Sequence, residues 1–313
     1  MRCLALLVLL FLPHFALAAS SAPYVTPRDQ VRLVSAANSA ADGTLRLALQ
    51  FKLAPGWHIY WKNPGDAGFP PAISAAAPVT LSPLDYPPPD YFLQDGIAAY
   101  VLSGEALLPF TASGISGDSL TVNARWLVCS DICVPEHASF TLSLAGGPSA
   151  EAGLFPAAPS IVASPYKATL TPDGTLRLDG VGAQQVKSAH FFPDSASALV
   201  NSAPQNLSFG AHDLRLRLKL AGPAPARLTG LLELTDPSGR MQALAIATTP
   251  APPQSHAPWW LLALAGGLIL NLMPCVFPVL AMKAAAFARM GGAAHAHIRR
   301  CLLYTSPSPR DRT

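Results

Sequence analysis

Residues 44–53 read TLRLALQFKL. Leu45, Leu47, Leu49 and Phe51 alternate with Arg46, Ala48, Gln50 and Lys52, a period of two that puts the apolar set on one face of a half-buried strand. Similar short runs recur on either side, near Val31, Ala98, Leu120 and Phe140, separated by Gly, Pro, Asp and Ser. That spacing predicts a mainly β fold, with an antiparallel immunoglobulin-like β-sandwich over residues 20–147. The Pro- and Ala-rich passage GGPSAEAGLFPAAPS reads as a linker, placed at 148–164. Beyond it the clearest alternation is DLRLRLKL, residues 213–220, where Leu214, Leu216, Leu218 and Leu220 oppose Arg215, Arg217 and Lys219. With runs near Leu176, Leu231 and Leu244 it predicts a second immunoglobulin-like sandwich over 165–250. That half holds no cysteine and no concentration of catalytic side chains, so it reads as a spacer or binding module.

Composition says where the rest of the chain belongs. Of 313 residues, 50 % are hydrophobic and only 12 % charged, against about a quarter charged in soluble domains. The 32 prolines and 22 glycines oppose a helical bundle. Residues 1–19, MRCLALLVLLFLPHFALAA, have the early Arg, apolar run and small-residue cleavage site of a signal peptide. Residues 259–282 carry no charge, long enough at 1.5 Å per residue to cross a bilayer as a transmembrane helix; its full extent is placed at 257–287. Trp259 and Trp260 suit an aromatic belt, and Lys283, Arg289, Arg299 and Arg300 put the far end in the cytoplasm. Residues 301–313, CLLYTSPSPRDRT, resemble a translated sequencing adapter joined to a truncated reading frame, so the natural chain is expected to continue beyond Arg300. The net charge of +3 includes Arg2 of the leader and one net positive charge from this tail. What remains is too little for a nucleic-acid groove.

With the leader and tail set aside, Cys129, Cys133 and Cys275 remain. Cys129 and Cys133 flank Ser130-Asp131-Ile132 in RWLVCSDICVPEH, between two strand patterns. A hairpin there would bring the side chains within disulfide range. Closing a five-residue loop stabilises by only about 2 kcal/mol, which leaves redox exchange and structural stapling both open. A third reading takes Cys129, Cys133 and His137 as ligands for a soft metal such as Cu(I). Cys275 stands between Pro274 and Pro278, after Asn271. Two prolines in one and a half turns break the helix ladder, and the thiol at the kink is placed for access.

These motifs resemble one family. NLMPCVFPVL after GGLIL is similar to the first transmembrane helix of DsbD-type thiol:disulfide interchange proteins, which include CcdA and the ScsB relatives. GWHIYWKNPGDAGFPP, PDYFLQDGIAAYVLSGEALLPF and WLVCSDICVPE resemble the family's N-terminal periplasmic domain. The resemblance covers roughly 30–145 and 257–290 and leans towards the ScsB branch. It implies a protein-disulfide reductase of the bacterial inner membrane, with its N-terminal domains in the periplasm. Electrons from cytoplasmic thioredoxin would reach Cys275, then the outer pair Cys129/Cys133, then periplasmic thioredoxin-fold clients, for disulfide correction, cytochrome c maturation or copper tolerance. Phe92 would match the cap over the outer pair, and His58 and Tyr60 would line the site and assist proton transfer. No cofactor is implied. The outer cysteines stand closer together than in the best-known members, and the second membrane cysteine is expected in the missing part.

Overall fold

A computed structural model describes residues 20–37, 40, 42–144, 149–155, 161–182, 184–250, 259–271, 281, 282 and 285. The chain divides into two compact units, residues 1–251 and 252–313. Within the first, one five-stranded sheet runs in the order Tyr24–Val25, Asp29–Ser35, Leu45–Leu53, Glu105–Ser113, Thr80–Leu81. A six-stranded sheet runs Cys133–Ser143, Ser119–Cys129, His58–Gly65, Ile97–Ser103, Asp90–Gln94, with Ala72–Ser74 also paired to Ser119–Cys129. Both sheets contribute to one core, in which Leu47, Leu49 and Phe51 meet Trp61, Tyr100, Trp126 and Phe140.

Leu45–Leu53 is a strand, as its alternation predicts, but Ala48 and Gln50 on its other face are buried too. The cause is the passage expected to be a linker. Phe155 packs on Val34 and Ala48, Arg32 bridges Gln50 and Glu151, and Ser149 donates to the Ser35 carbonyl. Val162–Ala163 then joins the next sheet as a strand.

Residues 162–250 form a four-stranded sheet (Val162–Ala163, Met241–Ala247, Thr229–Thr235, Ser188–Pro193) and a five-stranded one (Asn206–Phe209, Asp213–Arg217, Thr175–Asp179, Ala168–Leu170, Thr249–Pro250). They share a core of leucines that includes Leu214, Leu216 and Leu218. Two pairings depart from the antiparallel expectation: Val162–Ala163 and Thr249–Pro250 lie parallel to their partners. Phe192 and Leu231 also belong to the first core, and Asn63 donates to the Pro193 carbonyl at 2.7 Å. The two sheet pairs therefore meet across a packed junction.

His190 lies in that junction against the rings of Tyr91 and Phe192, near Gln205 and cross-strand from Glu233. Burial holds it down at about 4. Between its ordinary value of 6.5 and about 4, the unfolded chain takes up a proton that the folded chain refuses. Its contribution is therefore complete above pH 6.5 and falls by up to about 3 kcal/mol on acidification to pH 4. Glu233, raised by burial and then by Asp90, acts in the opposite sense. We expect urea midpoints to drop more between pH 7 and pH 4.5 in the wild type than in His190→Phe; equal drops would exclude this source of acid sensitivity.

Of the expected transmembrane helix over 257–287, the described residues are 259–271, 281, 282 and 285, and the rest of that span lies outside them. Trp259–Asn271 is helical. Among the described residues no helix is long and apolar enough to cross a membrane. Cys275, Pro274 and Pro278 lie outside the described residues, as do 1–19 and 301–313.

Candidate functional site: a cross-strand disulfide on the outer face of a sheet

Ser119–Cys129 and Cys133–Ser143 pair along their whole length, and Cys129 faces Cys133 in the last rung. The Cα atoms are 4.1 Å apart and the sulfurs are bonded. The three-residue turn closes with the Ser130 amide donating to the Ile132 carbonyl. Strand alternation splits the sheet's residues between two faces. Val128, Ile59, Trp61 and Tyr100 enter the core, while Cys129, Tyr60, Ala99 and Val101 form a small cluster of their own. The two sulfurs differ in access: Cys129 is 1 % exposed, whereas Cys133 is exposed.

Tyr60 and His58 come from the strand beside Cys129, with His58 its direct neighbour in register. The Tyr60 hydroxyl donates to Cys129 Sγ at 3.3 Å and lies 3.8 Å from Cys133 Sγ. Burial raises the Tyr60 pKa, so the phenol keeps its proton and remains a donor at neutral pH. Burial lowers His58, which therefore stands uncharged at neutral pH, available as a proton acceptor. Its ring is 5.7 Å from Tyr60 and 5.4 Å from Phe92. Phe92 reaches it from Asp90–Gln94, which pairs with Ile97–Ser103 through a tight Asp95-Gly96 turn. Both turn residues have positive φ, 52° and 80°, the geometry of a two-residue hairpin turn. The fold thus gathers Cys129, Cys133, Tyr60, His58 and Phe92 in one place.

His137 is not among them. It lies four residues beyond Cys133 on one strand, about 13 Å at the rise of an extended chain. With both sulfurs bonded to each other, the three groups do not converge on an ion. Among the described residues no cluster of three or more His, Cys, Asp or Glu could hold a metal.

Two features escaped the sequence reading. Gly68 lies against the Tyr60 ring at φ 94°, where an added Cβ would come within 2.3 Å of the ring. We expect Gly68→Ala to displace the phenol and cost on the order of 2–4 kcal/mol. Thermal unfolding checks this; an unchanged midpoint would show that the loop yields. The second feature is a grip on the hairpin. Trp126 and Glu136 face each other three rungs below the disulfide. Asp29 accepts from Trp126 Nε1 at 2.7 Å, and Arg28 donates twice to Glu136 Oε1, at 2.8 and 2.6 Å. Partners more than ninety residues apart leave no local pattern.

Residues 25–145 match the family of the thiol:disulfide interchange protein DsbD, N-terminal part. Among solved structures, the N-terminal periplasmic domain of ScsB from Proteus mirabilis is similar at 19 % identity and a TM-score of 0.60, covering 75 % of this chain and all of that one. The reduced N-terminal domain of Neisseria meningitidis DsbD aligns at 15 % identity and a TM-score of 0.26, over 35 % of this chain and 82 % of that one. No curated protein matches the sequence. The family match encloses the bridge, Tyr60, His58 and Phe92, and the ScsB likeness shows the same fold extending beyond it; residues 25–145 are thus similar to the N-terminal part of DsbD.

Proposed function

We propose that Cys129–Cys133 is the exchanging pair of a periplasmic protein-disulfide reductase module, passing electrons to thioredoxin-fold proteins. The observation that carries this reading is the asymmetry of the bridge, with Cys133 exposed and Cys129 buried under the Tyr60 hydroxyl. In the reduced protein the Cys133 thiolate attacks one sulfur of a client disulfide, and the other client sulfur leaves as a thiolate. Cys129 then attacks Cys133, the intramolecular bridge closes, and the client departs as a dithiol. Two electrons and two protons go to the client. Recharging runs in reverse: a donor thiolate attacks exposed Cys133, and Cys129 leaves as a thiolate that the Tyr60 phenol stabilises by hydrogen bonding. His58, uncharged and beside the phenol, can take a proton.

The family and the periplasmic origin of the similar ScsB domain support the compartment. We read the two sheet pairs as immunoglobulin-like sandwiches, the first bearing the exchange site. Cys275, between Pro274 and Pro278, is read as a membrane cysteine that receives electrons originating in cytoplasmic thioredoxin. Clients in disulfide correction, cytochrome c maturation or copper tolerance all fit this chemistry.

The test is the reduction potential of the bridge in the full chain, equilibrated in thiol buffers, alkylated and weighed. A midpoint between about −120 and −270 mV is expected of an exchanging pair. A bridge that stays closed to below about −300 mV is a structural staple, and the exchange reading would fall.

A further inference from the structure

The strand Asp90–Gln94 presents two faces to two different partners. Phe92 turns towards His58, 5.4 Å between rings. Its neighbour Tyr91 turns the other way, towards residues 162–250. There its ring lies 4.6 Å from that of His190, and its hydroxyl donates to the Asn201 carbonyl at 3.2 Å. Asn201 is 4 % exposed and ties in more of the same hairpin. Its side-chain oxygen accepts from the Tyr100 hydroxyl at 2.9 Å, and its amide donates to Asp66 at 2.8 Å. Asp66 in turn accepts from the Ala98 amide at 2.9 Å, beside the rung where Ala99 pairs with Phe92. The strand bearing Tyr60 and His58 is held at its far end, where Asn63 reaches the Pro193 carbonyl. Every strand that supplies a ring to the site is thus fastened, on its opposite side, to the second sheet pair.

We infer that the second sheet pair anchors the cap, with Tyr91 as the positioning residue that keeps the Phe92 ring on His58, the in-register neighbour of Cys129, and so limits how fast external thiols open the bridge. The inference rests on the exchange reading above. Because neighbouring side chains on a strand point to opposite faces, Phe92 cannot swing outward by backbone movement without dragging Tyr91 from its seat. Releasing Tyr91 raises the population of the open cap, and small thiols report that population.

The experiment uses the oxidised full chain in detergent, reduced by dithiothreitol and quenched by alkylation at intervals. Phe92→Ala should speed reduction about tenfold and Tyr91→Ala nearly as much, while Tyr91→Phe, which loses only the hydroxyl contact, gives about threefold. The double variant Tyr91→Ala/Phe92→Ala should be no faster than Phe92→Ala, because both act through one cap. Equilibrium potentials should stay together across the set, since an open cap alters access to the oxidised and reduced pair alike. If Phe92→Ala accelerates reduction while both Tyr91 variants match the wild type, the anchor is refuted and the exchange reading stands. If the double variant shows the product of the two single effects, Tyr91 acts elsewhere and the anchor is also refuted. If Phe92→Ala changes nothing and the bridge resists thiol buffers, the exchange reading fails and takes the anchor with it.

Discussion

Cys129→Ser is expected to convert the reduced protein into a covalent trap, accumulating a mixed disulfide between Cys133 and an oxidised thioredoxin-fold protein, while Cys133→Ser gives almost none. The asymmetry follows from access. A thiolate must approach the client disulfide along the sulfur–sulfur axis, and of the two cysteines only Cys133 is exposed. Cys129 is 1 % exposed, in a cluster with Tyr60, Ala99 and Val101, so its intermolecular attack should be slower by about a hundredfold or more. In Cys129→Ser the resolving thiol is missing, and the adduct persists until another thiol removes it. Non-reducing electrophoresis after mixing the reduced variants with the partner reads the result directly. Adducts on Cys133→Ser and none on Cys129→Ser would reverse the assigned polarity. Tyr60→Phe serves as the control: without the hydroxyl 3.3 Å from Cys129 Sγ, recharging of the oxidised bridge should slow about fivefold, with trapping by Cys129→Ser left intact.

Much of the site could be read from residues that are close in sequence. The alternation around Cys129 and Cys133 specifies a hairpin, and a three-residue turn between two cysteines on paired strands leaves the sulfurs little choice but to meet. Phe92, Tyr60 and His58 came instead from a family resemblance, since a single aromatic or imidazole carries no local mark of what it faces. The outward face of Leu45–Leu53 was misjudged because Ala48 and Gln50 look solvent-facing until Phe155 and Glu151 return over them from a hundred residues away. The same distance hid the role of residues 162–250. Asn201 and His190 look like ordinary turn and strand residues, and only the fold brings them against Tyr91. Periodicity reports which face of a strand is apolar. It does not report which of several apolar surfaces will cover that face.

Arg28→Met should cost the folded protein about 3 kcal/mol, the largest loss expected from any one surface cation here. Glu136 stands in the edge strand with its side chain only 2 % exposed, and Arg28 reaches it at 2.6 Å. Arg28 is itself about a quarter exposed, which moderates the Coulomb attraction without sparing Glu136 its desolvation. Removing the guanidinium leaves a buried carboxylate with no counter-charge, and breaking such a pair from one side typically costs about 3–5 kcal/mol. An exposed pair such as Lys52–Glu105 would lose under about 1 kcal/mol, so the measured size discriminates between the two cases. Methionine keeps an unbranched apolar stem but also removes the guanidinium that lies 5.9 Å from the Trp57 ring centroid, a cation–π contact worth about 1 kcal/mol or less at a partly exposed site. Adding Glu136→Gln to Arg28→Met should restore most of the loss, because a neutral amide is far cheaper to leave buried than a charge. Urea denaturation of the four proteins gives the coupling between the two residues. A cost below about 1 kcal/mol, or a double variant no better than Arg28→Met, would show that the pair is an ordinary surface bridge. The hairpin would then owe its seat to Trp126, the rung partner of Glu136, whose indole donates to Asp29 in the other sheet.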